Sequence, residues 1–255
     1  MEALEITVTI LLALLGACAA SFINAASIRY TEGESFIKGR SKCPRCEKPL
    51  RWFELIPVIS WILILGKCRK CKEPVSPRYL LVELFGAFAS ATVSIWFGLS
   101  LMTPLAIVII FILLAITLID HSTMEIPNGL IIALIPLAIA SFFIHPDVTL
   151  LERIIGVFTL SLPMVALAFI IPGAFGGGDY KLMAVCGFLL GWQGILLAFF
   201  LGVVTAGSIA IRMIFRKKVK KGAKMPFGPH LCFGIAASLL FGQEIITWYL
   251  GFFTF

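Results

Sequence analysis

The sequence predicts an all-α polytopic membrane protein, with about eight transmembrane helices and a small cytosolic domain between the first and the second. Three observations carry this. Hydrophobic residues make up 60% of the 255 and charged residues only 14%, with a mean hydropathy of +1.01, whereas a soluble domain has roughly 25% charged residues. Apolar runs recur near the length of about 20 residues that a helix needs to cross about 30 Å of hydrocarbon. The basic residues are also confined, 12 of the 21 Lys and Arg lying in 29–78 and 7 in 212–224. Basic clusters between apolar spans mark cytoplasmic segments and attract anionic membrane lipid. The net charge of +7 is therefore a topology signal, and no nucleic-acid partner is expected.

The first run, 6–28, contains Leu15-Gly16-Ala17-Cys18, which looks like a lipoprotein cleavage box. A signal peptide starts basic, however, and this terminus carries Glu2 and Glu5, so residues 1–28 read as a retained first helix entering from outside. Residues 29–78 then form a cytosolic domain. Within it, Leu55–Leu65 is apolar but 11 residues long, too short to span. It reads as an interfacial or re-entrant element, or as the core of the small domain. Residues 79–255 form the membrane-embedded domain. Runs at 79–99 and 104–119 make a hairpin turning at Ser100–Pro104, and the next, 127–144, leaves from Pro127, a good first helical residue. His145-Pro146-Asp147 marks an outer loop before 154–172 returns. The stretch 182–211 must begin and end on the cytoplasmic side, so it is expected to be a hairpin with Gly191-Trp192-Gln193-Gly194 as its outer turn. Its short first arm suggests a helix that begins inside the membrane near Asp179, where irregular glycine backbone can line a wet cavity. The last run, 228–253, leaves both termini outside.

Charge inside a membrane helix is costly and marks function by default. Asp120 follows the apolar run 104–119, and Asp179 follows Gly176-Gly177-Gly178, where glycine permits backbone conformations and close approach that side chains block. Either aspartate alone reads equally well as a helix-end carboxylate. Both on one membrane face form a candidate dyad. Two carboxylates sharing a site hold one proton between them, and the charged member can take a proton from water. The same pairing also occurs in proton-coupled transporters, so that class stays open. Glu83 can snorkel or act; Lys181 can be interfacial or help keep Asp179 ionised. His121, His145 and His230 lack metal-ligand spacing.

Cys43, Cys46, Cys68 and Cys71 form two C-x2-C pairs separated by 21 residues, in a segment the charge pattern places in a reducing compartment, where disulfides are disfavoured. Such thiolates can close a tetrahedral zinc site. Four protein ligands leave no open position, so the metal is expected to be structural. A redox-active pair is the competing reading. Cys18, Cys186 and Cys232 lie in apolar spans and read as small core residues.

Taken together, SFINAASIR at 21–29, the CPRC and GKCRKC pairs, LIPVISW at 55–61, SPRYLLVELFGA at 76–87, LIDHSTMEIPN at 118–128, GGGDYKLMA at 176–184 and PFGPHLCFG at 226–234 resemble the type IV prepilin peptidases. The resemblance implies Asp120 and Asp179 as the peptidase dyad, with Gly176 and Gly178 in a GxGD motif. It implies a prepilin or pseudopilin substrate cut after a glycine at the cytoplasmic boundary of the bacterial inner membrane. It also implies methylation of the new N-terminal amine with S-adenosylmethionine as donor. No glycine fingerprint follows a strand here, and the residues that bind the donor are not assigned. The cysteine domain, absent from archaeal relatives, points to the bacterial branch.

Overall fold

The computed structural model describes residues 3–35, 41–43, 45–171, 173, 175–216 and 225–252. Pro44, Pro172 and residues 217–224 of the second basic cluster lie outside the described residues. In order, the elements are α1 (Ala3–Thr31), a 3-10 turn (Trp52–Leu55), α2 (Ile59–Leu63), α3 (Pro77–Phe97), α4 (Met102–Thr123), α5 (Asn128–Ile144), α6 (Leu150–Ile170), α7 (Gly177–Phe215) and α8 (Gly228–Gly251). Six of them, α1, α3, α4, α6, α7 and α8, are long and apolar enough to cross a membrane, and α5 is a shorter apolar helix. The chain forms two compact units, residues 1–107 and 108–255, so the division falls inside α4.

In the first unit α1 packs against α3. Small residues let the backbones meet: a side chain on Gly16 would collide with Gly86 and Ser90, and one on Gly86 with Ala20. Membrane helices associate by such close approach and by polar pairs across the seam. The pairs here are Thr9 with Ser94 at 2.9 Å, Ser21 Oγ donating to Glu83 Oε1 at 2.7 Å, and Arg78 Nε donating to Asn24 Oδ1 at 3.1 Å. Glu83 is thus buried and does not snorkel. Its other oxygen accepts the Val58 N–H at 2.7 Å, at a residue with φ +63° and ψ −56°, where the Ile59 N–H donates to the Pro57 carbonyl at 2.6 Å. This is a strained γ-turn of the rare positive-φ kind. Between the two readings of Leu55–Leu65, the surface favours the interfacial one. Leu55, Ile59, Ile62, Leu63 and Leu65 are all exposed, as on an apolar face that lies against a bilayer.

In the second unit α7 packs against α5, α6 and α8. Its 39 residues would extend about 58 Å if straight, about twice the hydrocarbon thickness. The helix breaks at Gly191, φ +72° and ψ 175°, which only glycine adopts without strain. Gly187 sits against Gly156, and Gly191 against Val148 and Glu152, at the start of α6. Beyond the break Gly194 faces Ser238 and Gly202 faces His230, so residues 192–215 run back antiparallel to α8. The expected hairpin and its Gly191 turn are therefore present, with 177–190 as the short first arm. At element ends the departures from the sequence reading are small: Pro127 stands just before α5. Thr149 and Glu152 exchange bonds to start α6, Glu152 Oε2 accepting the Thr149 N–H at 2.8 Å, a reciprocal cap.

Candidate active site

Asp120 lies in the last turn of α4 and Asp179 in the first turn of α7, both in the second unit and 4% and 8% exposed. The Asp120 charge acts on Asp179, as the smallest influence on it after burial and the Gly176 N–H. Each is gripped through one oxygen by a backbone amide. Gly228 N–H donates to Asp120 Oδ2 at 3.0 Å, and Gly176 N–H donates to Asp179 Oδ2 at 2.9 Å. Among the described residues no hydrogen bond falls on Oδ1 of either.

Local folding explains one of these positions and not the other. Asp179 reaches back to the amide preceding its helix, as a carboxylate at a positive helix N-terminus does, so it stabilises α7 whatever else it does. Asp120 sits at a helix C-terminus, where a carboxylate opposes the macrodipole at about 0.3–1 kcal/mol. Its charge is met instead by the N-terminus of α8, 108 residues along the chain. Burial of a carboxylate at that end of a helix has no local structural reason.

Glycines set the packing around the pair. A Cβ on Gly228 would lie 2.6 Å from Asp120 Oδ2, and one on Gly178 would lie 2.6 Å from Ile126 Cβ. The GxGD glycines serve close approach more than unusual backbone: Gly176 has φ −74° and ψ 151°, and the helix begins at Gly177, so the backbone next to Asp179 is more regular than the sequence reading expected. Phe227 stacks near Phe175 and Phe199, with ring centroids 5.9 and 6.3 Å away. Lys181 donates to Asn128 Oδ1 at 3.1 Å, a bond that ties α7 to the start of α5.

The four cysteines are brought together in the first unit. Cys43 and Cys71 Sγ are 3.9 Å apart, Cys46 and Cys68 Sγ 4.0 Å, and all four lie within 4.8 Å of one another. Four sulfurs at about 2.3 Å from a tetrahedral zinc would stand about 3.8 Å apart, so the donor set fits that ion. The two knuckles repeat each other. Cys43 N–H donates to the Lys48 carbonyl and Cys68 N–H to the Glu73 carbonyl, isolated bridges pair Lys42 with Pro49 and Lys67 with Pro74, and Glu47 and Lys72 take positive φ at matching places. The backbone N–H groups of Cys71 and Lys70 pull the Cys68 thiol down, while burial and the neighbouring sulfurs push the Cys71 thiol up against the Glu73 N–H, so the two titrate together.

Sequence reasoning missed Gly228 as the holder of Asp120, although the Pro-Phe-Gly-Pro run at 226–229 signalled a constrained helix start. It also missed the partners of Glu83 and the placement of Arg153.

Two family profiles match the chain. One, described as the bacterial peptidase A24 N-terminal domain, covers residues 14–97, and one described as the type IV leader peptidase family covers 107–211. Their boundary coincides with the division between the two units. Among similar proteins, the prepilin leader peptidase/N-methyltransferase of Bacillus subtilis is 33% identical over 94% of this chain and 97% of its own length. Proteins of the same name from Aeromonas hydrophila and Stutzerimonas stutzeri are 33% and 35% identical over 83% of this chain, and over 74% and 75% of their own lengths. No solved structure matches.

Proposed function

The chain belongs to the type IV prepilin peptidase family, and from that premise we propose a multi-pass inner-membrane aspartyl endopeptidase with Asp120 and Asp179 as its catalytic pair. It removes the leader of type IV prepilins and pseudopilins after a glycine at the cytoplasmic boundary. The observation that carries this reading is Asp120: a buried carboxylate at the unfavourable end of its own helix, held by an amide of α8 and acting electrostatically on the carboxylate of Asp179. Arg212 and Arg216, at the end of α7 in the same unit, support a cytoplasmic side for this end of its helices by the positive-inside rule.

The chemistry follows from the grip on each carboxyl. With Oδ2 of each aspartate tied to a backbone N–H, the Oδ1 atoms hold a water and a single shared proton. The ionised carboxyl takes a proton from the water as its oxygen bonds to the scissile carbonyl carbon. The protonated carboxyl gives its proton to the carbonyl oxygen. Collapse of the tetrahedral intermediate breaks the C–N bond, and the proton taken from water passes to the leaving amine. The amine so formed is the acceptor for the second reaction that the relatives' name describes, with S-adenosylmethionine as the methyl-donating co-substrate. Among the described residues there is no β-strand, so a strand–glycine turn–helix cradle for that donor is absent from them. Zinc on Cys43, Cys46, Cys68 and Cys71 would supply a cross-link that fixes the cytosolic 29–78 segment, with no role in bond cleavage.

The test is to incubate purified protein in lipid with a prepilin and weigh the products. A shortened chain beginning after the glycine is expected from the wild type. Asp120→Asn and Asp179→Asn should each lose at least about a thousandfold in rate, within the range for removing a general acid or base. Substantial cleavage by either folded variant overturns the dyad.

A further inference from the structure

Among the described residues Arg153 is the only buried Lys or Arg, with 0% of it exposed. It lies on α6 at the end of the bundle away from Asp179. Its neighbour Glu152 spends its carboxylate on Thr149, and the partners of the guanidinium are neutral. Nη2 donates to the carbonyls of Ser141 and His145 at 3.3 and 2.9 Å, where α5 ends. Nε donates to the Val148 carbonyl at 3.2 Å in the following loop. Nη1 donates to Ser141 Oγ at 2.9 Å and to the carbonyls of Phe188 and Leu189 at 3.0 and 3.1 Å. The last two lie just before the break at Gly191, where carbonyls of a broken helix lose their N–H partners, and in hydrocarbon each unpaired carbonyl costs several kcal/mol. The Phe142 and Phe188 rings flank the cation at 5.8 Å each.

A charge that merely packed would be replaced to advantage by an apolar side chain. This one does what an apolar side chain cannot, joining the far end of the first arm of α7 to two fixed points. From Leu189 the arm runs ten residues to Asp179, about 15 Å of stiff helix, and it is pressed onto α6 where Gly187 meets Gly156. We propose that Arg153 is a positioning residue for the peptidase reaction: by clamping the carbonyls at the Gly191 turn it sets the depth at which the first arm presents Asp179. The inference rests on the dyad reading. A misplacement of about 1 Å at a reacting group costs on the order of a hundredfold in rate, while the surface that binds substrate is left in place.

Arg153→Met and Arg153→Lys, purified in lipid, are assayed with a prepilin, and the active fraction is normalised to folded protein from a thermal melt. The expected result for Arg153→Met is a fall in kcat per folded molecule of roughly tenfold to a hundredfold, with KM within about twofold of wild type. Arg153→Lys, which keeps a charge but cannot reach both helix ends at once, should recover part of kcat. If Arg153→Met does not accumulate, a smaller loss of kcat per folded molecule at constant KM in Arg153→Lys is the supporting result. A kcat per folded molecule equal to wild type, with activity lost only in proportion to unfolded protein, overturns the inference. Asp179→Asn is run beside them. Cleavage by that variant overturns the dyad and the inference with it, whereas an inactive Asp179→Asn beside unimpaired Arg153 variants overturns the inference alone.

Discussion

Gly228→Ala offers the sharpest measure of the site, because it adds one carbon at a known place. The new Cβ would lie 2.6 Å from Asp120 Oδ2, 2.9 Å from its Cγ and 3.2 Å from its Cβ, while ordinary contact needs about 3.5 Å. The carboxyl or the start of α8 must therefore shift by roughly 1 Å. Both moves stretch the 3.0 Å bond from the Gly228 N–H and turn Asp120 away from its partner. A displacement of that size costs on the order of a hundredfold in rate, or about 2.7 kcal/mol of transition-state stabilisation. The assay is single-turnover cleavage of a prepilin by the purified variant, with folding checked by a thermal melt. Gly207→Ala is the control, since nothing lies within 4 Å of the added carbon and alanine favours a helix by up to about 1 kcal/mol. A folded Gly228→Ala enzyme within threefold of wild type would show that Asp120 does not act from the position described, and the reasoning would fail.

Serine at Cys43, Cys46, Cys68 or Cys71 should release about one zinc per chain, loosen the segment between α1 and α3 and impair cleavage without abolishing it; wild type purified without chelator that contains no metal would return the cysteines to a redox role. Gly191→Ala forces a side chain into φ +72° and places its Cβ 2.8 Å from Val148 Cγ1, so the melting temperature should drop by several degrees, as for a loss of about 1–2 kcal/mol; an unchanged melt would argue against the turn. Reporters fused at Gly222 and at Asp147 should read as cytoplasmic and external, because the two arms of α7 return the chain to the side it left. Fusions reading on the same side would break the topology that unites Asp120 and Asp179.

Much of the architecture was legible because its causes are local. The solvent that a segment prefers is summed over about 20 consecutive side chains, so apolar runs, basic clusters and the two stranded aspartates announce themselves without reference to the rest of the fold. The C-x2-C pairs are legible for the same reason, since a knuckle is closed by residues a few positions apart, as the Cys43–Lys48 and Cys68–Glu73 bonds show. Even the Gly191 turn could be expected, from the length of 182–211 and the requirement that both its ends lie on one side.

The remaining features depend on residues that meet only once helices pack. Glu83 looked free to snorkel until the Val58 amide and Ser21 were found on its two oxygens. Arg153 carried no signal in the sequence, because its partners span residues 141 to 189. Asp120 is the plainest case. Its own helix disfavours it, and the amide that holds it is 108 residues away. The sequence by itself determined which groups are too costly to bury in a membrane unpartnered. The tertiary structure decided what satisfies them, because in hydrocarbon that is settled by which helix end or backbone amide packing brings within about 3 Å, a distance no local pattern encodes.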